Sequence, residues 1–109
     1  MVDTNNEWII SRTGIKERRI LKDKSLGTSF MAINAANKLL QEKDVDPTSL
    51  DLVIVSTATP DMPVSSTASF VATEIGASNA FGYDIQGACS GFLFGMSAAC
   101  AHICSGRYR

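Results

Sequence analysis

The sequence predicts an α/β protein built in layers around a parallel strand pair, on three observations. Two short apolar runs, "DLVIVST" (51–57) and "AFGYDI" (80–85), are bounded by polar and turn residues, the pattern of strands buried on both faces. A helical pattern lies between them, so the strands make a right-handed parallel crossover unit. The last long segment, about 90–104, carries Phe92, Leu93, Phe94, Met96, Ala98, Ala99, Ala101 and Ile103, and is apolar all round. A helix of that kind needs protein on every side.

The elements follow in order. Residues 2–25 are polar, with Trp8, Ile9, Ile10 and Ile15 scattered among charges, and read as loop, short helix and a hairpin strand around Arg18 to Leu21. A helix begins at Ser25 or Thr28 and ends near Lys43, with Ala32, Ala35, Ala36, Leu39 and Leu40 forming its apolar face. "DVDPTSL" is turn chemistry, since Pro47 fixes the backbone and Asp46 can bond to it. After the first strand, a loop with Pro60 and Pro63 leads to Ser65 or Ser66 as cap of the next helix. That helix has Phe70, Val71 and Ile75 inside and Gly76 as its stop. The final helix spans Ser90 to Cys104.

Composition narrows the class. With 109 residues, 45% hydrophobic and 19% charged, and a formal net charge of -1, the chain has the makeup of one soluble globular domain. No charge imbalance points to nucleic acid or to a membrane surface. No charged residue lies between Asp84 and Arg107, but that stretch holds four glycines and several serines. Its helical part is shorter than the ~20 apolar residues of a membrane span. Three cysteines, no Cys-x-x-Cys pair and no cationic-then-apolar leader at Met1 lead us to expect reduced thiols in the cytoplasm. Two strands and two other helices cannot enclose the last helix and also protect the sheet edges. The expectation is therefore a fragment that does not fold alone.

"GACSGF" (87–92) carries the candidate chemistry. With the helix starting at Ser90, Cys89 is its N-cap, where free amides and the helix dipole favour negative charge, and thiolate is the reactive form of cysteine. Gly87, Ala88 and Gly91 allow a sharp turn and close approach of a substrate, as at a nucleophile elbow, and the free amides suit an oxyanion. An inert core cysteine is the competing reading. His102 is the one histidine, but thirteen residues of helix put it about 20 Å along and roughly 220° around from Cys89, out of reach. In "CAHIC", Cys100 and Cys104 share a face from which His102 points away, so no metal site is expected and both read as small core residues. Arg12, Lys16, Arg18, Arg19, Lys22 and Lys24 crowd a short span near Trp8. They form either a solvated face or a site where the indole stacks on a nucleobase and arginine grips phosphate.

Taken together, "VDTNNEWIISRTGIKERRI", "DLVIVSTATPD", "SSTASFVATEIGASNAFGYDI" and "GACSGF" resemble, in order and spacing, the β-ketoacyl-acyl-carrier-protein synthase III family of the thiolase superfamily. The resemblance runs nearly end to end through residues 1–109 and covers about the first third of a typical member. It implies a thiolase-like layered αβαβα fold, incomplete in this fragment. It also implies an acyltransferase that begins type II fatty-acid synthesis from acyl-CoA and malonyl-acyl-carrier-protein. Cys89 is then the acylated nucleophile, Trp8 the adenine-stacking residue for coenzyme A, Arg12 a phosphate contact and Thr4 a further adenine contact. A cytoplasmic homodimer is implied, with coenzyme A thioester as substrate, no separate cofactor, no nucleic acid and no membrane. The family's first strand, its later histidine and asparagine, and its second half lie outside these residues. At 86–87, Gln86 and Gly87 stand in place of small alanines, and Val64 stands where many members carry an aromatic. Alternatives are another synthase of the superfamily, of secondary-metabolite or hydroxymethylglutaryl-CoA type, or a non-catalytic domain that binds coenzyme A or carrier protein.

Overall fold

The computed structural model of the chain describes residues 3–108. Helix α1 (Asn6–Thr13) is followed by α2 (Thr28–Lys43), strand β1 (Leu52–Ser56), α3 (Thr67–Glu74), β2 (Phe81–Ile85) and α4 (Gly91–Cys104). The two strands pair in parallel, with Leu52 opposite Phe81 and Ser56 opposite Ile85. Alternation along β1 sorts its side chains between two faces. Val53 and Val55 pack toward α3, whereas Ile54 and Ser56 meet the glycines of α4. The result is three layers, with α2 and α3 on one side of the sheet and α4 on the other.

The core lies on the α3 side. Val71, Ala72, Ile75 and Ala77 are buried, and Ala32, Ile33, Ala36 and Leu40 of α2 close over them. Gly82 belongs to this packing, because a Cβ there would sit 2.8 Å from the Ala68 carbonyl carbon. Asp84, at the end of β2, fastens the helix to the sheet. Its carboxylate accepts from the amides of Thr67 and Ala68, both at 2.7 Å, and from the Ser66 hydroxyl at 3.2 Å. Ser66 is the α3 cap, its Oγ accepting from the Ser69 amide. Gly76, at φ 80°, stops the helix in the left-handed conformation that glycine tolerates.

Several expectations change. No strand forms around Arg18 to Leu21: among the described residues nothing pairs with that segment. Arg18 instead donates to the Ile15 carbonyl and to Asn6 Oδ1, and Ile20 is exposed. Of the two starts expected for α2, Ser25 and Thr28, the structure takes Thr28, where the Asp61 carboxylate accepts from the Ser29 amide. The apolar face of α2 splits, with Leu39 exposed and Ala35 turned toward a groove on the α4 side. Phe70 is also exposed, since Val71 and Ile75 take the inward positions of α3. Helix α4 is covered on one face only by these residues, in line with the expectation that they cannot enclose it: Phe92 is 71% exposed and Leu93 68%, and Gly91 is its buried residue. Cys100 and Cys104, read as core residues, are exposed as well.

Candidate active site

Parallel pairing brings the C-terminal ends of both strands to one edge of the sheet, where ligand sites of open α/β sheets are found. The Thr57 amide donates to the Ile85 carbonyl, extending the ladder one step beyond β1. From that edge β2 runs into the turn Gly87–Ala88–Cys89–Ser90. Helix α4 starts at Gly91, one residue later than expected, so Cys89 lies in a single 3-10 turn (Ala88–Ser90) that leads into the helix rather than at its N-cap. Ser90 is the cap residue and makes no side-chain capping bond.

The turn is tight and strained. Ala88 has φ 42°, a left-handed conformation that costs a residue with a Cβ about 1–2 kcal/mol. Such strain persists where surrounding contacts over-determine it. The Ser90 amide donates to the Gly87 carbonyl at 2.9 Å, and the Phe94 ring fills the space that a Cβ on Gly87 would need. The Ser56 hydroxyl donates to the Gly91 carbonyl at 2.8 Å. Cys89 is exposed and lines a groove of about 780 Å³ with Ile54, Ser56, Phe92 and Met96. A small thiol on a backbone-rich turn, open to an apolar groove, suits attack on an acyl thioester.

His102 lines the far part of the same groove but is engaged elsewhere. Its Nε2 lies 3.1 Å from the Tyr83 hydroxyl, and Phe81, Tyr83 and Tyr108 surround its ring. It is a packed helix residue, as expected. Among the described residues no group of three or more His, Cys, Asp or Glu side chains could hold a metal ion. No helix there is long and apolar enough to cross a membrane.

Trp8 and Arg12 come together on α1, one turn apart, with the guanidinium 4.2 Å from the centre of the half-exposed indole. Asn5 caps this helix by accepting from the Trp8 amide at 2.8 Å, and Gly14, at φ 71°, ends it. Thr4 is exposed just before the cap. None of the three lines the groove at Cys89. The structure therefore holds two separate groups, a stacking platform on α1 and a thiol at the sheet edge.

Sequence reasoning missed Ser56 and Asp61. Gly91 and Gly95, four apart on a helix, signal a close neighbour, but the neighbour is thirty-five residues from Gly91 in the chain. Asp61 accepts from the Ser29 amide at 3.1 and 3.3 Å and fills the space beside Gly27. A hydrogen bond from the Ser29 side chain, with weaker ones from the α2 amides, holds its carboxyl below the usual range.

No protein-family model matches the chain. Curated relatives match it end to end. It is 51% identical over 109 residues to beta-ketoacyl-acyl-carrier-protein synthase III of Phocaeicola vulgatus, covering all of this chain and 33% of that protein. It is 49% identical to the synthase III of Chlorobium chlorochromatii, with the same coverage. Among solved structures, 3-oxoacyl-acyl-carrier-protein synthase III from Aquifex aeolicus superposes with a TM-score of 0.82 at 42% identity, over 98% of this chain and 34% of that one. The priming beta-ketosynthase of the R1128 polyketide pathway gives 0.82 at 38% identity, over 98% and 32%. The chain spans about a third of the length of the curated relatives it matches. From end to end it is similar to the N-terminal third of beta-ketoacyl-acyl-carrier-protein synthase III, and its fold is the thiolase-like layered α/β arrangement of those proteins.

Proposed function

We propose that the chain carries the acyl-accepting cysteine of a condensing enzyme that begins type II fatty-acid synthesis. The reaction joins acyl-CoA to malonyl-acyl-carrier-protein and yields 3-oxoacyl-acyl-carrier-protein, CoA and CO2. The observation that supports this most is Cys89, exposed on a strained strand-to-helix turn and facing an apolar groove. In the first half-reaction its sulfur attacks the thioester carbonyl, amide N–H groups of the turn donate to the developing oxyanion, and coenzyme A departs as the thiol with the cysteine's proton. In the second, malonyl-acyl-carrier-protein loses CO2, and the carbanion attacks the acyl-cysteine and releases the sulfur. Splitting the carbon–carbon bond formation in this way replaces one difficult step with two easier ones.

Trp8 stacks on the adenine of coenzyme A, with Thr4 beside it, and Arg12 contacts the phosphates. The pairing of indole and guanidinium on one face of α1 supports these roles. In this reading residues 1–109 are part of one thiolase-like domain, whose other residues include the histidine and asparagine that stabilise the carbanion. The enzyme works as a cytoplasmic homodimer on thioester substrates, with no separate cofactor. The likeness to the R1128 priming beta-ketosynthase favours, as a second reading, a synthase of a secondary-metabolite pathway with the same acyl-cysteine step.

Cys89→Ser in the full chain tests the assignment. Acyl transfer from acetyl-CoA to the protein is expected to fall by about 10³-fold or more, the scale of losing a catalytic nucleophile. Labelling that survives the change points instead to a domain that binds coenzyme A or carrier protein with Cys89 purely structural.

A further inference from the structure

The last residue of β1 meets the first turns of α4 through two glycines. A Cβ on Gly95 would lie 2.8 Å from Ser56 Oγ, and one on Gly91 would lie 3.3 Å from Ser56 Cβ. The same hydroxyl donates to the Gly91 carbonyl at 2.8 Å. Ser56 thus fills the gap between strand end and helix start and also bonds across it. The distance between sheet and helix is set at one side chain, two residues from the thiol.

That distance matters because of the turn between them. Ala88 is held at φ 42° directly before Cys89. The Ser90–Gly87 hydrogen bond closes the turn on itself, and the Phe94 ring seats it against α4. The Ser56 bond ties the helix end of that turn back to the sheet from which its other end departs. With both ends fixed, Ala88 cannot relax to negative φ without moving one of them.

We propose that Ser56 is a positioning residue for Cys89: its hydroxyl fixes the first turn of α4 against the end of β1 and so holds the strained turn that presents the thiol to the groove. The importance of the role rests on the reading of Cys89 as nucleophile, whereas the geometry does not.

Alkylation by iodoacetamide, followed peptide by peptide in the full chain, reads the three thiols separately. Cys100 and Cys104, on α4 beyond the turn, serve as internal references. Ser56→Ala is expected to slow Cys89 about fivefold, the rate equivalent of one lost hydrogen bond, and to leave the other two unchanged. Gly95→Ala, which drives a methyl into Ser56 Oγ, is expected to slow Cys89 by a similar factor. In the Ser56→Ala background the same methyl is near Ile54 Cγ2, at 3.9 Å, and is expected to add little. The two substitutions then fail to add, as coupled neighbours do. If Gly95→Ala does not fold, Ser56→Ala, which removes a single atom, carries the test. An unchanged or faster Cys89 in Ser56→Ala, a slowing shared by all three thiols, or additive effects would overturn the proposal. Failure of wild-type Cys89 to accept an acyl group from acyl-CoA would sink the condensing-enzyme reading and leave the alkylation pattern untouched.

Discussion

The two faces of the β1–β2 pair are both apolar in sequence and differ in what covers them. On the α3 face, Val71 is 2% exposed and the α2 helix closes over it. On the α4 face, Phe92, Leu93 and Phe94 stand more than half exposed on a helix with no charged residue. Hydrophobicity alone therefore does not fix burial: a side chain is buried when a partner layer exists for it, and the described residues supply that layer on one face.

Substitutions can break or sharpen this contrast. Phe92→Ala in the full chain should cost about 3–5 kcal/mol, because in the proposed domain further residues close over α4. A change below about 0.5 kcal/mol would show that face open to solvent. Ile75→Ala on the closed face should cost about 2–5 kcal/mol, the range for emptying a buried aliphatic site, read from the midpoint of urea denaturation. Gly82→Ala should cost about 1–3 kcal/mol, because the new methyl meets the backbone of Ala68 and Ser69, which cannot swing aside.

The smallest expected effect is a pH dependence at Asp61. Its folded carboxyl sits below the ordinary value, so its bonds to the start of α2 stabilise the chain at neutral pH. That contribution is lost as pH falls through the carboxylate range toward the lowered folded pKa. Asp61→Asn should lower stability at neutral pH and change it little at low pH, which flattens the acid limb of a stability–pH curve. Because the carboxylate is exposed to solvent, the effect should shrink in high salt.

Much of this was legible in the sequence because the signals were local. The β-branched run 51–57 and the run 80–85 predicted both strands, and Ser66, Gly76 and Pro47 punctuated the chain where the structure turns. Motif spacing likewise placed Cys89 within one residue of its observed position in the strand-to-helix turn. What stayed hidden depended on contacts between distant residues. The Asp84 and Asp61 caps join positions about seventeen and thirty residues apart, and Ser56 reaches α4 across thirty-five. The hairpin around Arg18 failed for the same reason. A local pattern proposes a strand, but a ladder partner makes one, and Arg18 bonded back to α1 instead.

The central claim is that the 87–90 turn singles out one thiol of three. Peptide mapping of the full chain after exposure to acetyl-CoA tests it most directly. An acetyl group on Cys89, with Cys100 and Cys104 unmodified, is the expected result. A chain left unmodified, or one acetylated equally at all three, would contradict it.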